Sequence, residues 1–176
     1  ILIVSGIFAQ AQTVEVNVDA TKPIGHLDPF WASQIIHPTE FILTDWGRNL
    51  VKLMAENGAA CQYIRIYNQP ENAIRIDANG KITYDWSRFD QMAGIILATG
   101  NKPEIAFFGM PVELAVHPES VRKRPYGATV CTSPPKDYRQ WEELCADFAR
   151  HVVSKYGISN VKQWTFRCWN EPDGGF

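Results

Sequence analysis

Stretches of strand character alternate along this chain with stretches of helical periodicity, and that alternation limits the fold more than any other feature. Cys61-Gln62-Tyr63-Ile64-Arg65-Ile66-Tyr67, Pro103-Glu104-Ile105-Ala106-Phe107-Phe108 and residues 161–169 read as short apolar strands. A weaker candidate, Phe30-Trp31-Ala32-Ser33, precedes them. Three helices fall between. Thr44 caps the first, Trp46, Leu50, Leu53 and Met54 form its apolar stripe, and Gly58 closes it. Asp85 caps the second, which carries Phe89, Met92, Ala93 and Ile96 and stops at Gly100. Ser133-Pro134 supplies an N-cap and a first-turn proline for the third. Its stripe is Tyr138, Trp141, Cys145, Phe148 and Val152, and it ends at Gly157. The order β, α, β, α, β, α, β implies a parallel sheet with right-handed crossovers. A doubly wound sheet normally carries a glycine-rich phosphate loop after its first strand, and this chain has none. The expected fold is therefore α/β, a (β/α)8 TIM barrel of which only the first half, through the fourth strand, is present.

Local signals fill in the connections. Residues 73–76 and 81–84 flank Asp77-Ala78-Asn79-Gly80, a hairpin with Asn-Gly at its turn. Residues 13–18 alternate apolar and polar, which predicts a half-exposed strand ahead of the barrel. The long proline-rich connection after the third strand carries Arg122-Lys123-Arg124 at its centre, and loops of that length are usually functional or mobile. At the start, Ile1 to Phe8 is apolar and Ala9-Gln10-Ala11 has the small-x-small form of a secretory cleavage site. Three segments result: 1–11 as a partial signal peptide, 12–28 as an N-terminal strand and lead-in, and 29–176 as the half barrel. Export to a periplasm or the outside is expected, with a buried first strand as the alternative reading of residues 1–8.

The net charge of −2 over 176 residues comes with no basic stripe, which argues against nucleic acid and, after signal cleavage, against a membrane as partners. Four cysteines (Cys61, Cys131, Cys145, Cys168) show no C-x-x-C spacing, and the four histidines make no metal motif. Buried free thiols are the expectation.

Chemistry concentrates at the far end, in Phe166-Arg167-Cys168-Trp169-Asn170-Glu171-Pro172-Asp173. A strand-like run stops at an Asn-Glu pair, and proline forbids its continuation. A carboxyl and a carboxamide are thereby presented at the carboxyl end of a strand, where α/β barrels keep catalytic groups. Glycoside cleavage needs a proton donor for the departing oxygen and a second carboxylate across the sugar ring. Glu171 has the type and place for the donor, provided burial and a neighbouring negative charge raise its pKa. The competing reading is a plain strand-ending turn, since Asn and Pro favour turns. Arg65 projects from the second strand, as a site arginine or as half of a structural ion pair. Trp31, Tyr67 and Phe108 are candidate cleft walls or core, and His117 is a candidate sugar contact.

Trp169-Asn170-Glu171-Pro172 resembles the end of the fourth barrel strand in clan A glycoside hydrolases, and the chain is similar to glycoside hydrolase family 39, which includes β-xylosidases and α-L-iduronidases. Tyr63-Ile64-Arg65-Ile66-Tyr67 resembles that family's second strand, and Tyr84-Asp85-Trp86 with Phe89-Asp90 resembles the start of its second helix. Lys102-Pro103 through Met110-Pro111 resembles its third strand and turn. The resemblance runs from about Pro29 to Phe176. It implies retaining hydrolysis of a xyloside, uronide or related glycoside, with Glu171 as general acid/base and Asn170 bound to the sugar 2-hydroxyl. The nucleophile would be a Glu ending the seventh strand, outside this chain, and the missing C-terminal half of the barrel would be the partner of this one. No cofactor or metal is implied. Where the family often has Arg-x-His, this chain has Tyr67 followed by Asn68, so sugar contacts there differ. The Arg122, Lys123 and Arg124 run has no match; it can receive a uronate carboxylate or form a solvated loop. The alternative from another class is a non-catalytic carbohydrate-binding or vestigial half barrel.

Overall fold

The structure, a computed structural model, describes residues 14–25, 33–35, 39–56, 62–67, 70, 72–123 and 129–170. In chain order its elements are β1 (Ser33–Ile35), α1 (Asp45–Glu56), β2 (Tyr63–Ile66), the hairpin β3 (Ile74–Ile76) and β4 (Ile82–Tyr84), α2 (Ser87–Leu97), β5 (Lys102–Phe107), the short pair β6 (Arg122–Lys123) and β7 (Thr129–Val130), α3 (Tyr138–Tyr156), α4 (Ile158–Val161) and β8 (Thr165–Cys168). β1, β2, β5 and β8 lie side by side in that order, every pair parallel. This is the layered α/β arrangement that the alternation dictates.

One face of the sheet is dry. Ile64 and Ile66 of β2 and Ile105 of β5 are buried with Phe89, Met92 and Ile96 of α2 and Leu144, Phe148 and Val152 of α3. The period-two pattern of the strands meets the helical stripes there, and each such side chain contributes about 1.5–3 kcal/mol on burial. Aromatic rings knit the layer: Phe89 meets Phe148 edge-on at 4.9 Å, and Phe107 lies 5.3 Å from Phe148. A polar clamp locks α2 to α3. The Asp90 carboxylate accepts hydrogen bonds from His151 Nε2 (2.9 Å), Lys155 Nζ (2.7 Å) and the Tyr156 hydroxyl (2.8 Å). Burial alone would raise the Asp90 pKa, but these three donors outweigh it and hold the carboxyl below its ordinary value. Burial, with Asp90 beside it, pushes the Tyr156 phenol well upward.

Several expectations hold in detail. Thr44 Oγ1 accepts the Gly47 N–H at 3.1 Å as the cap of α1. The hairpin turns at Gly80 with φ 78°. Trp86, not Asp85, holds the N-cap position of α2, although Asp85 Oδ1 still accepts the Ser87 N–H at 3.0 Å.

Others are corrected. The stripe of α1 is not Trp46, Leu50 and Leu53, which are exposed, Trp46 by 79%. The buried face carries Gly47 and Val51. Gly47 permits contact with the preceding 3-10 turn (Thr39–Leu43), because a Cβ there would collide with the Phe41 carbonyl. α3 is capped by Asp137, whose carboxylate accepts the Arg139 N–H at 2.9 Å, and not by Ser133. The Ser133 hydroxyl instead serves the His117 N–H and the Pro134 carbonyl. Val161 belongs to α4, so the last strand is only Thr165–Cys168. The strand expected over 13–18 does not form: residues 14–19 carry no regular structure, and Val14, Val16 and Val18 are exposed. Alternation alone does not make a strand without a partner, and none pairs with it among the described residues.

Candidate active site

The other face of the sheet is built from charges and aromatic rings. Arg65 on β2 stands in register with Glu104 on β5, and Arg167 on β8 stands in register with Ala106. Arg65 Nε and Arg167 Nε each lie 2.6 Å from the same Glu104 Oε1, and the Glu104 side chain is only 4% exposed. A buried carboxylate survives only when paired, and here two strands supply cations from either side. Arg65 Nη1 also donates to the Tyr67 hydroxyl at 2.9 Å. Burial would lower the Arg65 pKa; its bonds to Tyr67 and Glu104 raise it, so the guanidinium stays charged.

Towards the carboxyl ends of the strands the charges give way to rings. Tyr67, Ala106, Phe108 and Val130 form a second buried cluster, with Trp169 packed against it. Phe108 meets Tyr67 edge-on at 6.4 Å and Trp169 edge-on at 5.3 Å. Trp169 has φ 65°, a left-handed conformation that a bulky side chain adopts only under strain. Its N–H still donates to the Phe107 carbonyl at 3.0 Å, so the sheet ladder runs on through the strained residue. The distortion falls one residue before Asn170, which is half-buried. Beside it opens a groove of about 280 Å³, lined by Met110, Ser133, Pro135, Tyr138, Trp141 and Trp169 among others. Aromatic walls next to a polar strand end suit a ligand with apolar faces and hydroxyl edges.

Of the residues expected at a site, Phe108 and Asn170 are gathered around Trp169. Arg65 joins them through Tyr67 and Phe108 and is also half of the anticipated ion pair. His117 is not brought in: its ring is exposed, 3.2 Å from Glu119. Arg122 and Lys123 are exposed on β6, which fits the solvated-loop reading. Glu171, Asn68, Trp31 and Arg124 lie outside the described residues. Sequence reasoning missed Glu104 and Arg167 as partners. The available signal was three charges inside apolar strand runs of an otherwise helix-covered sheet. Cys131, Cys145 and Cys168 are free; Cys168 is exposed on the edge strand, and burial pushes the Cys145 thiol up to about 11. Among the described residues no three His, Cys, Asp or Glu side chains gather as a metal site, and no helix is long and apolar enough to cross a membrane.

The family model of the glycosyl hydrolases family 39 matches residues 14–175. The chain belongs to that family. A β-xylosidase of Caldicellulosiruptor saccharolyticus is 29% identical over 165 residues, a match covering 91% of this family 39 chain and 33% of the relative. The mouse α-L-iduronidase is 23% identical over 167 residues, covering 90% of this chain and 24% of the relative. Among solved structures, a monomeric β-xylosidase from Caulobacter crescentus CB15 superposes with a TM-score of 0.67 at 25% identity, covering 80% of this chain and 27% of that one. The chain thus spans about a third or less of the length of these relatives. The family expected from Trp169-Asn170-Glu171-Pro172 and from the second and third strands is borne out.

Proposed function

We propose that this chain is the first half, through the fourth strand, of the (β/α)8 catalytic barrel of an exported retaining glycoside hydrolase that acts on a xyloside or uronide. The observation that carries the reading is the Asn170-Glu171-Pro172 sequence directly after the parallel strand β8, next to the strained Trp169 and an aromatic groove, in a chain of family 39. The four parallel strands and the names of the relatives support it.

In this mechanism Glu171 enters as a protonated acid. It gives its proton to the departing glycosidic oxygen while a second carboxylate attacks the anomeric carbon from the opposite side. The resulting glycosyl–enzyme is opened by water, whose proton returns to the Glu171 carboxylate as its oxygen bonds to the sugar. Asn170 hydrogen-bonds the 2-hydroxyl, a contact that strengthens as positive charge develops on the ring. The attacking carboxylate comes from a later strand of the barrel, so residues 1–176 expressed alone are hydrolytically inactive. Residues 1–11 belong to the enzyme's export signal.

The test is Glu171→Ala in the complete enzyme. Loss of the acid is expected to lower kcat/KM by about 10²–10⁴-fold on substrates with poor leaving groups. Azide should partly restore turnover of activated aryl glycosides by taking the place of water. Unchanged turnover would sink the assignment.

A further inference from the structure

We propose that Glu104 and Arg167 are positioning residues, forming with Arg65 a ladder that holds the end of β8, and Asn170 upon it, at one height and one electrostatic potential. This inference rests on the reading of Asn170 and Glu171 given above.

The geometry is directional. Arg65 is the register partner of Glu104, so it reaches straight across from β2 to β5. Arg167 is level with Ala106, yet its Nε lies 2.6 Å from Glu104 Oε1. Its side chain therefore leans back one inward step, and Ala106, fully buried, is small enough to let it pass. Side chains of residues two apart on a strand share a face. Arg167 and Trp169 are thus successive inward positions. β8 is tethered to β5 twice, by the side chain of Arg167 and by the Trp169 N–H on the Phe107 carbonyl. The two tethers bracket Cys168, and the chain has no free residue between the second and Asn170.

Among the described residues the ladder brings together two guanidinium groups and one carboxylate, on the strand whose sequence runs on to Glu171. Among the described residues, the other titratable groups on this face include the Tyr67 hydroxyl, bound to Arg65, and Lys102 with Tyr63 one layer below, the Lys102 Nζ 5.8 Å from the Tyr63 ring centre. Positive charge near a carboxyl group favours its ionised form, and negative charge favours its protonated form. The ladder therefore sets how easily Glu171 keeps the proton that it must donate.

The two roles separate in the complete enzyme by measuring kcat, KM and the pH dependence of kcat/KM. Glu104→Gln raises the local charge by one and removes the carboxylate that holds Arg167. We expect kcat to fall about tenfold or more with KM changed less than about threefold, because misplacement of a reacting group weighs on the transition state. The alkaline limb of kcat/KM, which reports the protonated acid, should move to lower pH by about half a unit. Arg167→Gln lowers the local charge by one, and the same limb should move to higher pH. The double variant Glu104→Gln/Arg167→Gln restores the wild-type net charge, so its limb returns to the wild-type position while kcat stays low. Opposite displacements that cancel are beyond a merely structural role. If Glu104→Gln fails to fold, Arg167→Gln, whose side chain is half-exposed, carries the test alone. Wild-type kcat and an unmoved alkaline limb in Arg167→Gln overturn the ladder. If azide rescue of Glu171→Ala succeeds in the same enzyme, only the ladder has fallen; if Glu171→Ala keeps full turnover, the functional reading falls and takes the ladder with it.

Discussion

The two faces of the β1-β2-β5-β8 sheet are made from the same strands and follow opposite rules. On the helix side Ile64, Ile66 and Ile105 are buried against α2 and α3, and contacts are many, short and non-directional. On the open side Arg65, Glu104 and Arg167 meet at one oxygen, and the fold relies on few, strong and directional bonds. The first face holds the sheet to its helices whatever the chemistry. The second costs desolvation and repays it by specifying where charges sit. Stability and the proposed function are therefore expected to be separable by face.

That division can be broken most severely at Phe89, which is buried among Phe148, Tyr156 and Trp164. Phe89→Ala is expected to lower stability by about 3–5 kcal/mol, read as a shift in the denaturant midpoint. In whatever fraction remains folded, kcat should match the wild type; a matching fall in kcat would mean that the faces are coupled.

A smaller effect is expected at the α2–α3 clamp. Asp90→Asn removes a charged acceptor from three donors and should cost about 2 kcal/mol at neutral pH. The sign with pH follows from the lowered Asp90 pKa. A carboxyl that ionises more readily in the folded state stabilises that state above the unfolded pKa, about 4 for Asp. The contribution disappears as pH falls through the lower folded value. The gap between wild type and variant should thus be constant above about pH 5 and narrow below pH 4. A gap that widens in acid would contradict the clamp.

The smallest effect sharpens the correction at α3. Asp137→Ala should cost about 1 kcal/mol as a lost helix cap. Ser133→Ala should act instead through the His117 loop, where its hydroxyl is used. Equal effects of both on thermal melting of α3 would restore Ser133 as a cap.

The second helix, the Asn79-Gly80 hairpin and the parallel strand order were legible because each is a local pattern repeated over a few residues. Phe89, Met92, Ala93 and Ile96 can share only one helical face, and all four are buried. α1 was misread because two stripes were available, one rich in Trp and Leu and one holding Gly47 and Val51. Hydrophobicity favours the first; the close approach of the Phe41 carbonyl selects the second. The cap of α3 was misread because Ser-Pro and Asp-Tyr are both acceptable helix starts, and the bond that Ser133 makes to the distant His117 decides between them.

Sequence alone determined the alternation of strands and helices, the buried stripe of α2, and the Asn170-Glu171-Pro172 segment that pointed to the clan, since these depend on neighbours within a turn or two. The shared use of Glu104 by Arg65 and Arg167 was decided only by the tertiary structure. Arg65 and Glu104 are 39 residues apart in the chain, and their meeting depends on strand register, which local pattern does not encode. A charge inside an apolar run is visible in the sequence; which opposite charge makes its burial tolerable is a property of the folded sheet.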